Sequence, residues 1–483
     1  MTSVRKRIVV VGAGIAGLSA AYRAHRIAAE RGLDVEIVVL ESGSRAGGVI
    51  ESVERSGCVM ELGPDSIITE KPWARALAEE IGLGPRIVGT KDEFRQSFVA
   101  IGKKLVPIPE GFYMMAPSRL SPFVRTGLFT WPGKIRMAAD VFLPRRTEDS
   151  DESLASFVRR RLGREALERA AQPMVGGVYT ADPEKLSLRA TMPRFLEMEK
   201  KHRSLILGLV SARTKAMRAG AGGGATAEGS AAGPRYSLFI SMDRGLSVLP
   251  NRICELLPPG TVRTGSMVER VEKTDTAWKV HTLEETIDAD AVCLATPAHA
   301  TSRLLESVSP ELSRSLNTIE YASSATVNLV YRREDIAHPL DGFGFVVPAV
   351  EKRTLLACTF SSVKYPGRAE AGTVLVRAFV GGALFPEAYE MPDDRMLAGV
   401  GRDLRDLIGV RADPVDSVIT RWPRSMPQYN VGHLERVTRL EEEAGRYATL
   451  ALAGAAYRGV GIPDCVRSGE AAGERLVTAL ARA

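Results

Sequence analysis

Residues 7–17 read RIVVVGAGIAG, and residues 34–41 read DVEIVVLE. The run Arg7–Val11 is apolar and β-branched, which predicts a strand. Gly12, Gly14 and Gly17 follow at G-x-G-x-x-G spacing, and Leu18–Glu30 continues as a helix. Asp34–Leu40 reads as a second strand, ending on Glu41. This is a βαβ unit with a dinucleotide fingerprint in its required context. Gly12 permits the tight turn, Gly14 lets backbone approach a pyrophosphate, and Gly17 lets helix and strand pack closely. Gly12, Ala13, Gly14, Ile15, Ala16 and Gly17 are the expected phosphate turn, with free amides at the helix start. Glu41 lies 24 residues beyond Gly17. Its carboxylate suits the two hydroxyls of an adenosine ribose and would repel a 2′-phosphate.

Outward from this unit the pattern changes several times. Between about 80 and 170 it is helical and rich in Arg and Pro, and Ser153–Ala171 predicts one amphipathic helix. Residues 219–233, AGAGGGATAEGSAAG, predict a flexible surface loop. Strand-like runs follow at Val262–Val271, Ala277–Thr282, Asp290–Ala295, Thr326–Tyr331 and Thr373–Val380. The end returns to strand, Gly-rich loop and helix, at Tyr447–Ala453, 454–464 and Val466–Ala481. The two ends therefore predict one nucleotide unit assembled from distant pieces. The expected division is 1–50, 235–300 and 415–483 for that unit, with 51–82, 175–234 and 301–414 for a substrate unit. Residues 83–174 would form a helical insertion.

Composition narrows the function classes. The 483 residues carry 64 basic and 58 acidic side chains, a net charge of +6. That is too thin for a histone-like or strongly DNA-binding chain, so no nucleic-acid partner is expected. Glycine stands at 45 residues, about 9% against a usual ~7%. The five cysteines, at 58, 254, 293, 358 and 465, form no C-x-x-C pair, and the six histidines show no ligand spacing. Neither a disulfide framework nor a metal site is expected. Ile8–Tyr22 is uncharged over 15 residues, but a spanning helix needs ~20. The expectation is a cytoplasmic chain without a secretory leader.

Ser42–Val49 reads SGSRAGGV, so Arg45 and the Gly47-Gly48 pair follow Glu41 closely. Glycine there again lets backbone pass near phosphate, and Arg45 can neutralise it. Together with Glu41 this resembles the FAD fold of the amine oxidase and phytoene desaturase superfamily. Asp290–Pro297, DAVCLATP, matches that superfamily's second segment, and Val268 matches the position whose backbone meets adenine. The resemblance implies an α/β fold with a discontinuous Rossmann-like FAD-binding domain, a mixed α+β substrate domain and a helical insertion. Longer stretches narrow it. Leu62–Ser66 reads LGPDS, Gln172–Pro193 reads QPMVGGVYTADPEKLSLRATMP, Lys201–Leu209 reads KHRSLILGL and Tyr457–Cys465 reads YRGVGIPDC. Together they resemble the protoporphyrinogen and coproporphyrinogen oxidases of haem synthesis, over about residues 5–480. KHRSLILGL and the lack of a membrane anchor resemble the soluble bacterial members. In Gram-positive lineages those members act on coproporphyrinogen III.

The resemblance implies FAD as cofactor, O2 as oxidant and removal of six electrons from a porphyrinogen, with H2O2 as by-product. The expected cofactor residues are the phosphate turn, Glu41, Ser42, Arg45, Gly48, Val49, Gly63, Pro64, Asp65, Ser66, Val268, Thr296, Trp422 and Gly454. Val460, Gly461, Ile462 and Pro463 complete the set, since their backbone can face the flavin pyrimidine. Gly176 and Gly177 would let a flat macrocycle lie against backbone. Lys71 and Arg95 are the expected partners of the substrate propionates. Eukaryotic members carry Arg where this chain has Ser97, which leaves the usual carboxylate anchor open. No His–Asp or paired-carboxylate constellation nominates a catalytic acid or base. Residues 104–136 interleave aromatic side chains with Arg119, Arg125, Lys134 and Arg136. That pattern suits peripheral contact with anionic lipid, a cover for the cavity, or transient docking of the next haem-pathway enzyme. Protoporphyrinogen IX oxidation is the alternative reading. More remote ones are a flavin amine oxidase and a non-catalytic binding module of the same fold.

Overall fold

The computed structural model describes residues 5–218 and 238–482, without the side chains of 216–218. The expected loop at 219–233 lies outside the described residues.

Strand β1 (Lys6–Val11), helix α1 (Ile15–Glu30) and strand β2 (Val35–Leu40) follow one another as the opening motif predicts. They belong to a five-stranded parallel sheet. Its order is Val262–Arg263, β2, β1, Ala291–Leu294 and Leu450–Leu452. The pieces come from both ends and the middle of the chain, as the sequence implies. Both faces of the central strands are buried, which is why those strands are unbroken apolar runs. Ile8, Val10, Ile37 and Val39 face a core shared with α1. Val9, Val11, Val38 and Leu40 face a second core with Trp278, Val280 and Ile287, residues of an antiparallel three-stranded sheet.

Helix α2 (Gln172–Tyr179) carries the Gly176-Gly177 pair. It packs on a seven-stranded mixed sheet whose long strands are β3 (Tyr321–Arg332), β4 (Thr373–Gly381) and β5 (Asp416–Pro427). Two segments sit elsewhere than the expected division has them. Ser97–Ile101 and Lys104–Pro107, placed by sequence in the helical insertion, pair as a hairpin through Gly102 at φ +59° and complete one edge of this sheet. Strand β5, placed in the nucleotide unit, is the other edge. An edge strand tolerates the missing donors of Pro423 and Pro427.

Helix α3 (His433–Gly445) and helix α4 (Ile462–Leu480) close the chain. α4 crosses α1 closely, because a Cβ on Gly469 or Gly473 would lie 2.1 or 2.3 Å from the carbonyl oxygens of Ala16 or Ala20. The amphipathic stretch 153–171 is not one helix. It breaks at Gly163, φ +94°, after Leu154–Arg161, and resumes at Arg164 with a wider turn over Leu167–Ala171. Arg161, fully buried, explains the break point: it donates to Asp140 at 2.7 Å and to the Pro144 and Arg203 carbonyls, fixing the end of its helix. The run Val262–Val271 likewise divides, at Gly265 with φ +69°, between two sheets.

Candidate active site

The chain turns as soon as β1 ends. Gly12 takes φ +99°, and a Cβ there would lie 2.9 Å from the Ala295 carbonyl oxygen. A Cβ on Gly17 would lie 1.9 Å from the Gly12 oxygen, so α1 presses on the turn. Gly14 differs. Its Cβ position meets no atom within 4 Å and opens into a cleft of about 620 Å³. Gly12, Ile15 and Ala16 share that wall. Gly47 donates to the Ala13 carbonyl at 2.8 Å, and Gly48 lies against Gly14. α1 has neither a side-chain cap nor an acidic residue in its first turn, so its amides are free for an anion.

The rest of the wall comes from distant segments: Glu41 and Ser42, Gly48 and Val49, Val268, Thr296 and Gly454. The Glu41 carboxylate accepts from the Ala13 and Gly43 amides, each at 2.8 Å. These bonds orient it and leave acceptor capacity toward the cleft. Arg45 stands behind the wall. Its guanidinium donates to the carbonyls of Ala46, Gly48 and Ile50 and pairs with Glu51 at 2.6 Å, so it braces the glycine pair.

A seam joins this cleft to the seven-stranded sheet. A Cβ on Gly63 would lie 1.7 Å from the Val49 oxygen. The Leu62 carbonyl accepts from Thr326 Oγ1 at 2.6 Å and from Trp422 Nε1 at 2.8 Å. The Gly63 carbonyl accepts from Arg377, and Asn328 donates to Glu61 O at 3.1 Å. Trp422 thus braces the Leu62-Gly63-Pro64 turn. Asp65 and Ser66 meet Lys364 at 3.1 and 2.7 Å. Burial pushes the Asp65 carboxyl up, but Lys364 and Arg377 outweigh it and hold the group well below the usual carboxylate range. Burial lowers the Arg377 guanidinium and raises the Glu61 carboxyl.

At the C-terminal side Gly454, Ala455, Ala456 and Cys465 line the cleft. Gly461 caps α4 without a side-chain bond, followed by Ile462 and Pro463. Val460 packs toward the helical core. Burial pushes the Cys465 thiol up to about 12, so it is inert.

The four substrate candidates fall in three places: Gly176 and Gly177 on α2, with Gly176 buried beside Gln172, and Lys71 and Arg95 apart from them. Gly177 lies where a Cβ would come within 3.7 Å of Val346, so α2 rests on the sheet through this glycine. Lys71 Nζ is 2.6 Å from Asp464 Oδ2 in the first turn of α4. Arg95 sits on an exposed turn, bonded to Asp92. Sequence reasoning missed Thr326, Asn328 and Arg377 at the seam, and Tyr429 and His433 behind the C-terminal loop. A lone charge within the apolar run TVLVRAFVG, at Arg377, was a readable signal; nothing local marked the other four.

The wall fits FAD. A side chain on Gly14 would fill the space a pyrophosphate needs. Glu41 suits the ribose, and the cleft reaches Tyr321, Ser425 and Pro427 of the second sheet unit. Fold and site together define an FAD-dependent oxidoreductase. The profile described as flavin containing amine oxidoreductase matches residues 15–477, and the chain belongs to that family. It is 34% identical to coproporphyrinogen III oxidase of Bacillus subtilis over 98% of both chains. It is 35% identical to coproporphyrinogen III oxidase of Propionibacterium freudenreichii, covering 98% of this chain and 91% of that one. A solved Exiguobacterium chain described as a protoporphyrinogen oxidase superposes with a TM-score of 0.85 and 31% identity, covering 99% of this chain and 100% of that one.

Proposed function

We propose that this protein oxidises coproporphyrinogen III to coproporphyrin III, with O2 as terminal oxidant. The observation that carries the reading is similarity along the whole chain to the Bacillus relative of that name. Three O2 are reduced to three H2O2 as the macrocycle loses six hydrogens. The chemistry that bound FAD supplies is acceptance of two electrons at a time. The chain's own part is placement. The glycine turn and Glu41 hold the nucleotide end. Val49, Gly63 and Trp422 set a rigid floor at the seam. Gly176-Gly177 lets α2 lie close on the seven-stranded sheet beside the cleft, so the pair shapes the substrate side through packing. Lys71 and Arg95 are the candidates for the propionates, each now paired with a carboxylate, Asp464 and Asp92, that a propionate would have to replace. No acid–base pair is assigned, because the pyrroles lose their protons readily once oxidised.

Parallel oxygen-dependent assays with coproporphyrinogen III and protoporphyrinogen IX, read by porphyrin fluorescence, test the substrate. A higher kcat/KM for the tetra-propionate is the expected result. Equal or reversed preference overturns it in favour of protoporphyrinogen.

No helix among the described residues is long and apolar enough to cross a membrane. The insertion does expose Trp131 (63%), Ile135 (69%) and Phe142 (82%), with Lys134 Nζ 4.8 Å from the Trp131 ring centroid. We propose that this face rests on an anionic lipid surface. Co-sedimentation with vesicles containing anionic lipid, lost in Trp131→Ser/Phe142→Ser, is the expected result. Equal recovery with and without vesicles contradicts it.

A further inference from the structure

Behind the C-terminal wall of the cofactor cleft lies a stacked aromatic pair that the proposed chemistry does not use. The rings of Tyr429 and His433 are 3.8 Å apart between centroids and inclined by 14°. Tyr429 is 2% exposed and His433 is fully buried. Between them they grip the loop ahead of α4 at every second residue. Tyr429 Oη donates to Ala455 O at 2.7 Å and accepts from the Gly459 amide at 2.7 Å. His433 Nε2 lies 2.8 Å from Tyr457 O. A carbonyl only accepts, so Nε2 carries the proton and Nδ1 is the unprotonated nitrogen, which has no partner.

The gripped loop borders the cofactor. Gly454, Ala455 and Ala456 at its start line the cleft, and so does Cys465 of α4 just after it. Only glycine fits the turn of this loop: Gly459 sits at φ +153°, where a Cβ would lie 2.2 Å from Asp464 Cγ. The pair is itself tied down from the other side. The Ser187 amide donates to Tyr429 O at 2.7 Å, and Asp151 accepts from Gly432 at 3.0 Å and from Ser187 Oγ at 2.7 Å. Tyr429 therefore links the helical core to the cofactor wall.

We propose that Tyr429 and His433 are positioning residues for the loop Gly454–Gly461, and that they set the relative affinity of the protein for reduced and oxidised FAD. The inference rests on the FAD reading of the cleft. Its physical basis is the charge of the reduced flavin. Amides and a helix N-terminus aimed at that charge stabilise the reduced form more than the oxidised one. Tyr429 holds the Gly459 amide, so the path of the chain from Gly459 to the uncapped start of α4 at Gly461 follows from its grip. Loosening the loop weakens the reduced form most.

The test measures FAD affinity and the flavin midpoint potential in the holoenzyme. Tyr429→Phe keeps the ring stack and removes both hydroxyl bonds. The expected result is weaker FAD binding, with the reduced form weakened about tenfold more than the oxidised. That ratio is a fall of ~30 mV in midpoint potential for a two-electron couple. His433→Gln keeps a donor for Tyr457 O and should fall less than His433→Phe, which has none. This second pair keeps the proposal testable should Tyr429→Phe fail to fold. An unchanged potential in all folded variants overturns it, even where FAD binds more weakly, since that pattern marks a merely structural role. A wild-type chain that binds no flavin would instead refute the cofactor reading.

Discussion

Two glycines of one motif do different work, and substitution separates them. Gly14 faces open cleft, so Gly14→Val should abolish FAD binding and leave the thermal transition of the flavin-free protein nearly unchanged. A Cβ on Gly17 would lie 1.9 Å from the Gly12 carbonyl oxygen. Gly17→Ala should cost about 1–3 kcal/mol of stability by overpacking. Flavin content and melting temperature, measured on both variants, check this. The reverse pattern would misplace the pyrophosphate. These roles were legible in the sequence because a G-x-G-x-x-G turn has one geometry. Lys71 and Arg95 were less legible, because a lysine's position does not reveal its partner. The Lys71–Asp464 contact predicts that Lys71→Met and Asp464→Asn are non-additive in stability, with a coupling of about 0.5–3 kcal/mol. Additive effects in that double-mutant cycle would mean the two side chains act independently.

At the scale of elements, helix ends and crossings carry the predictions. Asp140 and Arg161 are both fully buried, and Asp140 also accepts from Ser204 at 2.6 Å. Arg161→Met leaves that carboxylate without its counter-charge and should destabilise by about 3–5 kcal/mol in denaturant unfolding. A loss below 1 kcal/mol would show the pair to be dispensable. His433 gives the fold a pH dependence. Burial holds its imidazole down to about 4, from an ordinary 6.5. The unfolded chain thus takes up this proton at higher pH than the folded one. The contribution is intact above pH 6.5 and is lost as pH falls toward 4, by about 3 kcal/mol in full. Urea unfolding across that window should show a steeper loss for wild type than for His433→Gln; parallel slopes would contradict it. The strands at Lys6–Val11 and Val35–Leu40 were read correctly because a strand buried on both faces is an unbroken apolar run. The stretch 153–171 misled because its periodicity continues through Gly163, and only the buried Arg161 shows why the chain turns there.

Across the whole molecule, the segment Glu61–Gly63 ties the cofactor cleft to the seven-stranded sheet, its carbonyls accepting from side chains of β3, β4 and β5. The interrupted nucleotide unit was legible because both chain ends carry its pattern. The hairpin at 97–107 and edge strand β5 were not, because partner choice in a sheet depends on residues hundreds of positions away. The same arrangement places the dinucleotide cleft against Tyr321, Ser425 and Pro427 of the seven-stranded sheet. The most direct test of this account is anaerobic mixing of the flavin-loaded protein with coproporphyrinogen III. Loss of the yellow flavin absorbance, together with one fluorescent coproporphyrin for every three flavins reduced, is the predicted result. Flavin that stays oxidised by this substrate, yet is reduced by a primary amine, would contradict it.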